Sequence, residues 1–179
     1  MNILIISPNS PYESTGGIER HILNSMEYFK SNKKHKTFIM LPTSGKSYTK
    51  KIDLMTIFFS NDINLGNTTS DQKNITRKAH LFSSGIEDII IKNNIDIICA
   101  ENFHLGLPPA YALLLNMVAG LHDVPLVLRL HSFAKTGLQV ELINQLMWKK
   151  ISCVSKSVTG DCLHKGASID SLSTEYLGV

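Results

Sequence analysis

NILIIS, at residues 2–7, is the stretch of sequence that decides the fold class. Its central four positions are all large aliphatic residues, which is typical of a strand buried on both faces of a parallel sheet. A loop rich in Pro, Asn, Ser and Gly follows over residues 7–17, and apolar residues then recur at helical spacing from Ile18 to Phe29. The chain therefore begins with a strand–loop–helix unit.

Strands and helices alternate along the rest of the chain. The patterns predict further strands at 37–41, 52–59, 95–100, 124–130, 151–154 and 174–177. They predict helices at 75–90, 138–146 and 155–165, and an apolar helix that follows Pro108-Pro109. The Lys-rich stretch before residue 52 and the polar stretch 61–72 are predicted to be loops. This alternation predicts an α/β fold, a Rossmann-like doubly wound parallel sheet flanked by helices, in one domain covering residues 1–179.

Composition and charge exclude several classes of protein. The chain has 179 residues, 43% of them hydrophobic, and a formal net charge of +3, which is too mild to indicate a nucleic-acid partner. The segment Lys30–Lys51 nevertheless holds seven lysines and no acidic residue. Such a segment is compatible with an anionic membrane surface or a phosphorylated substrate, and also with a solvated helix end and loop.

The cysteines indicate a reducing compartment. Cys99, Cys153 and Cys162 have no CxxC spacing and are odd in number, so they are expected to be free thiols of a cytoplasmic protein. No secretory signal is recognisable. The longest apolar stretch, Leu105–Leu121, contains two prolines and an asparagine and is expected to be a core helix, since a membrane span needs about 20 mostly apolar residues.

Polar residues that follow the predicted strands are the candidates for a binding site, because ligands of open α/β sheets bind beyond the carboxyl ends of the strands. Gly16-Gly17 precedes a helix and allows close approach of an anion such as a diphosphate. The long loop around it does not match a dinucleotide fingerprint. Ser44-Gly45-Lys46-Ser47 lacks the first glycine of a P-loop and runs into a predicted strand.

The histidines do not form a recognisable metal motif, and no metal site is expected. His104 and His131 follow strands and are candidates for contact with a sugar hydroxyl or phosphate. His21, like the remaining histidines, is expected to be structural or solvated. No nucleophile elbow and no pair of catalytic acids stands out, and Glu19 suits the first turn of a helix in any case.

These segments together resemble the N-terminal domain of retaining glycosyltransferase family 4. The resemblance extends in order along essentially the whole chain, and the segments that carry it are 2–8, 16–21 (Gly-Gly-Ile-Glu-Arg-His), 96–102, 127–131, 151–155 and 174–179. It implies one half of a GT-B fold, with the active site in a cleft between two Rossmann-like domains. The nucleotide sugar would be a substrate, and neither a metal nor another cofactor would be required.

The resemblance also implies roles for individual residues. His131 would be the catalytic residue that contacts the donor sugar and helps to stabilise the transition state, and Gly16 and Gly17 would face the donor diphosphate. Ser155 would lie near the cleft. The acceptor, a glycan or a lipid-linked sugar, would be bound by three residues after the fourth strand of the family pattern, namely Glu101, Asn102 and His104.

Two departures from the family pattern shape these expectations. Cys99 and Glu101 stand where the family often has histidines, and a carboxylate at 101 would repel an acceptor phosphate. The donor-binding Arg and Lys and the E-x7-E motif belong to a C-terminal domain absent from this chain, so the chain by itself is expected to transfer no sugar. The alternatives are a self-contained nucleotide-binding module and a half-domain that docks onto a separate donor-binding subunit.

Overall fold

The fold is a single mixed sheet with helices on both faces, as seen in a computed structural model that describes residues 1–13, 15–64, 71–168, 170 and 172–176. The strands are β1 (Asn2–Ile6), β2 (Lys36–Pro42), β3 (Tyr48–Ile52), β4 (Met55–Ser60), β5 (Ile97–Glu101), β6 (Leu126–Leu130), β7 (Lys150–Cys153) and β8 (Leu172–Thr174). The helices are α1 (Gly17–Ser31), α2 (Gln72–Asn93), α3 (Pro109–Leu121), α4 (Gly137–Gln145) and α5 (Lys156–His164).

The sheet has the strand order β3-β4-β2-β1-β5-β6-β7-β8, and all neighbouring pairs are parallel except β3 with β4. The order reverses on either side of β1, as expected for a doubly wound sheet. Residues of α1 pack in one hydrophobic core, and residues of α2, α3, α4 and α5 pack in the other, on the opposite face. The predicted fold class is confirmed.

The opening strand shows why the apolar run was informative. Leu4 and Ile6 belong to the core beneath α2 and α3, whereas Ile3 and Ile5 belong to the core beneath α1. Successive side chains of a strand point to opposite faces, so a strand covered on both sides must be apolar at every position. β2 is built in the same way, with six of its seven residues buried.

The prediction was wrong for the Lys-rich stretch. Residues 48–51, predicted to be a loop, form the edge strand β3 together with Ile52, and β3 pairs antiparallel with β4. The predicted single strand 52–59 is thus split by a turn at Asp53 (φ 53°). Tyr48 of β3 stacks on Phe59 of β4, with ring centroids 4.4 Å apart. Lysine is common on exposed edge strands, where it discourages pairing with another chain.

The remaining elements agree with the sequence to within a few residues. Pro109 occupies the first turn of α3, and Ser155 caps α5, where its Oγ accepts a hydrogen bond from the backbone N–H of Val158 (3.2 Å). The final predicted strand is observed over Leu172–Thr174, and residue 177 and the two after it lie outside the described residues. Of the described helices, none is long and apolar enough to cross a bilayer.

Candidate functional site

The carboxyl ends of β5 and β6 carry a compact polar cluster. Glu101 ends β5 and is paired in register with Arg129 of β6, so the two side chains stand next to each other on one face of the sheet. His131 follows β6 by one residue. Glu101 is fully buried (0% exposed), and its two oxygens accept hydrogen bonds from Arg129 Nη1 (3.2 Å) and His131 Nε2 (2.6 Å).

The protonation state of Glu101 follows from these contacts. Burial by itself would raise the pKa of the carboxyl group, but the hydrogen bond from His131, the charge of Arg129 and the charges of His131 and His21 in their protonated forms outweigh it and lower the pKa. Glu101 is therefore a carboxylate at neutral pH. A carboxylate can only accept hydrogen bonds, so the Nε2 atom of His131 carries a hydrogen.

His21 of α1 completes the cluster from the other side. Its Nε2 atom lies 2.6 Å from Arg129 Nη1 and 3.8 Å from Glu101 Oε1. Burial lowers the pKa of His21 to about 4, because the attraction of Glu101 is smaller and Arg129 and His131 add to the lowering. At neutral pH His21 is uncharged, and Nε2 must accept from Arg129, since a guanidinium has only donors. The approach of His21 to Glu101 is therefore not an ion pair.

Sequence reasoning assigned His21 to a structural or solvated role, and the structure instead places it in the cluster. The available signal was its position on the apolar face of α1, close to Ile22 and Ser25. Arg129 shares strand parity with His131, so the two side chains are expected on the same face of the sheet. The structure shows that Arg129 faces the site, with its side chain 24% exposed, and links β5, β6 and α1.

The cluster resembles a metal site only superficially. His21, Glu101 and His131 each offer one ligand atom, and the three atoms lie within 4.8 Å of one another. However, the guanidinium of Arg129 already contacts both His21 Nε2 and Glu101. A cation bound by the three residues would meet this fixed positive charge at close range, so the residues present do not fit a metal ion.

Asn102, which follows Glu101, forms hydrogen bonds with the backbone of Arg129 and His131. Its Oδ1 accepts from the N–H of His131 (2.8 Å), and its own N–H donates to the carbonyl of Arg129 (2.8 Å). Asn102 has a φ of 52°, in the left-handed region that asparagine tolerates better than most residues. Its carbonyl then accepts from the N–H groups of Leu105 and Gly106, which forms the turn after β5.

His104 lies within this turn and is buried. Neither ring nitrogen makes a hydrogen bond of good geometry with a described residue. Burial lowers the pKa of His104 to about 4, opposed by the backbone of Ser132 and assisted by the charge of His131. Unsatisfied polar groups in a protein interior are uncommon, and a catalytic role, a bound water or an ion can account for them. The turn is pressed against the first loop, where a Cβ at Gly106 would lie 2.3 Å from Pro8.

The glycine pair is arranged differently from what the anion-binding pattern predicts. Gly16 is the N-cap of α1, and the carboxylate of Glu19, which accepts from Asn9 Nδ2 (2.9 Å), lies so close that a Cβ at Gly16 would be 2.6 Å from it. The positive end of α1 thus already has a negative neighbour. Gly17 has open space around it and lines, with Arg20, a surface cavity of about 570 Å³.

A second cavity, of about 510 Å³, adjoins the cluster between α1 and the β5–β6 part of the sheet. Its ionisable lining includes Arg129, His21 and Glu175; Asn24 and Ser25 add further polar groups, and most of the other lining side chains are aliphatic or aromatic. Cys99 also lines it, but burial, assisted by the charge of Glu101, raises the pKa of its thiol to about 11, so this cysteine is a poor nucleophile. All three cysteines are free, as the sequence predicted.

The structure therefore brings most of the predicted site residues to one edge of the sheet. Glu101, Asn102, His104 and His131 share the β5–β6 edge, and Ser155 follows the neighbouring strand β7. The Ser155 hydroxyl is engaged as the cap of α5. The full burial of Glu101 leaves it less suited to bind an acceptor than the sequence implied.

The basic segment lies largely elsewhere. Lys36 begins β2, Lys51 pairs with the second residue of β4, and Lys30 lies in the last turn of α1, so these lysines occupy the amino edge of the sheet, away from the cluster. Lys46 is near the carboxyl edge. All seven lysines are exposed, and none of them forms an ion pair with an acidic group in the part of the chain that the structure describes. A phosphorylated substrate bound at the cluster would not reach most of this segment.

Comparison with solved structures identifies the class of fold. Alr3699/HepE of Anabaena in complex with UDP superposes with a TM-score of 0.60 at 14% identity, over 100% of this chain and 44% of that one. The lipopolysaccharide outer core galactosyltransferase WaaB, in its apo form, gives 0.60 at 14% identity, over 100% and 46%. A trehalose-6-phosphate structure from E. coli bound with UDP-2-fluoro glucose gives 0.59 at 12%, over 99% and 49%.

These similarities define the chain as an α/β domain with the fold of one half of a GT-B glycosyltransferase. The chain spans less than half the length of each of these neighbours. No protein-family model matches the sequence, and no curated protein matches it. At such low identity the likeness establishes the fold.

Proposed function

We propose that this chain is the acceptor-side lobe of a retaining glycosyltransferase, which moves a sugar from a nucleotide-sugar donor to a glycan or lipid-linked acceptor. One observation carries the proposal: the cluster of Glu101, Arg129, His131 and His21 lies at the carboxyl edge of a sheet whose fold matches glycosyltransferase halves. Structures of two of these neighbours contain UDP or a UDP-sugar.

In this proposal the cluster supplies fixed charge and oriented hydrogen bonds rather than a nucleophile. The donor sugar lies against His131, and Asn102 and His104 contribute to the acceptor side. Preorganised polar groups of this kind stabilise a developing charge without having to reorient during the reaction. The cluster is built around Arg129, and the proposed reaction uses no metal ion.

The donor diphosphate is proposed to lie near Gly17 rather than directly over Gly16, because Glu19 occupies the space beside Gly16. Arg20 supplies one positive charge in the same cavity, which Glu19 also lines. A diphosphate needs more than this, so we propose that a second lobe provides the remaining donor contacts and that the chain by itself does not turn over. The less-than-half coverage of the similar structures is consistent with such a lobe.

The proposal is tested by a donor screen on the complete gene product, measuring release of nucleotide diphosphate from a panel of nucleotide sugars with and without saccharide acceptors. We expect acceptor-dependent turnover with at least one donor, a loss of kcat in His131→Ala, and retention of the anomeric configuration in the product. The matched control is His80→Ala, because His80 is exposed on α2. Failure of every donor, or equal kcat for the two variants, would contradict the proposal.

The second candidate is a self-contained nucleotide-binding or partner-docking module without transferase activity. The neighbours' bound UDP makes the nucleotide version specific enough to test. Saturable binding of UDP by this chain alone, at micromolar concentration and without effect of any saccharide, would favour the module over the lobe.

We further propose a cytoplasmic location, in keeping with the three free thiols, and a peripheral contact between the Lys30–Lys51 segment and anionic lipid. The lysines involved are mainly those at the amino edge, which would place the site cluster on the far side of the domain. Co-sedimentation with vesicles containing phosphatidylglycerol should be lost when Lys33, Lys34 and Lys36 are changed to Glu. Equal binding of the unsubstituted chain and the triple variant would contradict the membrane contact.

A further inference from the structure

The side chain of Glu101 is too well enclosed to be a ligand contact, and its interactions are with Arg129 and His131. It has no exposed surface, and both oxygens are occupied by donors from β6 and the residue beyond it. A ligand hydroxyl could reach neither oxygen without displacing Arg129 or His131. Displacement would leave a buried carboxylate without its partner, which is strongly unfavourable.

The hydrogen bond between Glu101 and His131 also determines which ring nitrogen of His131 carries the hydrogen. Because Nε2 of His131 donates to Glu101, the hydrogen of the neutral ring is on Nε2, and Nδ1 carries the lone pair. Any hydrogen bond between this ring and a ligand is then left to Nδ1, which accepts when the ring is neutral. Sugar hydroxyl groups are suitable donors to such an atom.

The backbone of His131 is held by the same short segment of chain. Asn102 Oδ1 accepts from the His131 N–H at 2.8 Å. Two consecutive residues at the end of β5 thus fasten one histidine at both its main chain and its ring. Arg129 in turn holds the other oxygen of Glu101 at 3.2 Å and reaches His21 at 2.6 Å, so the carboxylate cannot rotate freely.

We infer that Glu101 is a positioning residue: it sets the tautomer and ring orientation of His131, whose side chain is 4% exposed, and leaves Nδ1 as the ring nitrogen that can accept from a ligand hydroxyl. The contact with a sugar rests on the proposed function. The tautomer itself does not, and it can be measured on this chain without any ligand.

Glu101→Gln is the informative variant because it reverses the hydrogen bond. Arg129 has only donors, so the glutamine must turn its oxygen toward Arg129 and its NH₂ group toward His131. The NH₂ group donates, so Nε2 of His131 has to accept and the ring hydrogen moves to Nδ1. The variant keeps the size of the side chain while inverting the tautomer.

The experiment is long-range ¹H–¹⁵N correlation spectroscopy of the histidine rings at mildly alkaline pH, with the His131 signals assigned by their loss in His131→Gln. We expect a protonated Nε2 in the unsubstituted chain and a protonated Nδ1 in Glu101→Gln. The matched control is Glu87→Gln, which alters a half-exposed glutamate that contacts His122 (3.1 Å) and should leave the His131 signals unchanged.

Two results would overturn the inference. One is a bare Nε2 in the unsubstituted chain, which needs no variant and remains decisive if Glu101→Gln does not fold. The other is a folded Glu101→Gln protein in which Nε2 keeps its hydrogen.

An activity measurement on the complete gene product separates this inference from the proposed function. Glu101→Gln should lower kcat about 100-fold, the scale for a misplaced catalytic group, with a smaller change in KM. An inverted tautomer without sugar transfer by any form of the protein would remove the proposed function and leave the positioning role intact. Full activity of a Glu101→Gln protein with an inverted tautomer would show that His131 orientation is irrelevant to catalysis, which overturns the contact with a sugar.

Discussion

Neutral His21 inside the cluster makes the domain sensitive to acid in a way that can be calculated. The pKa of His21 is lowered from 6.5 to about 4 in the folded chain, first by burial. Below pH 6.5 the unfolded chain therefore binds a proton that the folded chain does not bind until about pH 4. Stability that is present above pH 6.5 is lost as the pH falls through this window.

The magnitude follows from the shift. Each pKa unit corresponds to about 1.4 kcal/mol, so His21 alone should lower the free energy of unfolding by about 2.5 kcal/mol between pH 7 and pH 4.5. This is a large fraction of the 5–15 kcal/mol that is usual for a domain. His104, with a pKa of about 4 for the same principal reason, contributes a similar loss over the same window.

The perturbation is His21→Gln, because the glutamine oxygen can accept from Arg129 in place of Nε2 but does not titrate. Urea unfolding at pH 7 and pH 4.5, followed by the fluorescence of Trp148, gives the two free energies; Trp148 is the single tryptophan, and its Nε1 donates to the carbonyl of Leu142 (2.9 Å). We expect the variant to lose about 2.5 kcal/mol less than the unsubstituted chain between the two pH values.

The control is His80→Gln, which removes an exposed histidine of α2 and should leave the pH dependence as it was. If His21→Gln shows the same loss of stability between pH 7 and pH 4.5 as the unsubstituted chain, His21 is not held neutral in the cluster. The assignment of its Nε2 as the acceptor from Arg129 would then be refuted.

Substitutions at Arg129, at the glycine pair and at Lys78 test three other contacts by the same unfolding assay. Arg129→Met should destabilise the chain by about 2–4 kcal/mol at pH 7, since it leaves a buried carboxylate with one partner fewer, and the penalty should shrink in acid as that group is protonated; an unchanged stability would contradict the ion pair. Gly16→Ala should cost about 1 kcal/mol by pushing aside the neighbouring carboxylate, whereas Gly17→Ala, with free space around it, should be neutral or slightly stabilising; the reverse order would refute this packing. Lys78→Met should cost about 1–3 kcal/mol, because its buried ammonium donates to carbonyls of the loop after β4, and a loss no greater than that of the exposed Lys73→Met would rule that out.

The helices and strands that could be predicted from the sequence are those whose own residues show a recognisable pattern of apolar positions. The buried positions of β1 and β2 are almost all apolar because both faces are covered, and this is visible within six or seven residues. β3 could not be recognised in this way. It is an exposed edge strand with lysines, and its signal is the pairing of Tyr48 with Phe59 across a turn, which is not a local property of the chain.

In the candidate site, too, some contacts could be predicted from the order of the strands and others could not. Topology places the ends of β5 and β6 side by side, so the proximity of Glu101 and His131 was within reach of a strand-by-strand analysis. The contact of His21 with Arg129 was not, because it depends on the angle at which α1 crosses the sheet and on a separation of 108 residues along the chain. The same holds for Glu19, whose folding back over Gly16 is a matter of side-chain packing.

The central claim, that saccharides bind at the carboxyl edge of this sheet, is tested most directly by mapping amide chemical-shift changes on this chain during titration with UDP-glucose, UDP and a panel of mono- and oligosaccharides. We expect at least one saccharide or nucleotide sugar to perturb the amides of Gly17, Asn102 and His131 while the amides at the amino edge, such as Lys36, remain unchanged. We also expect His131→Ala to weaken the effect. Binding at the carboxyl edge would be contradicted if no sugar perturbed these amides, or if the largest changes lay at the amino edge.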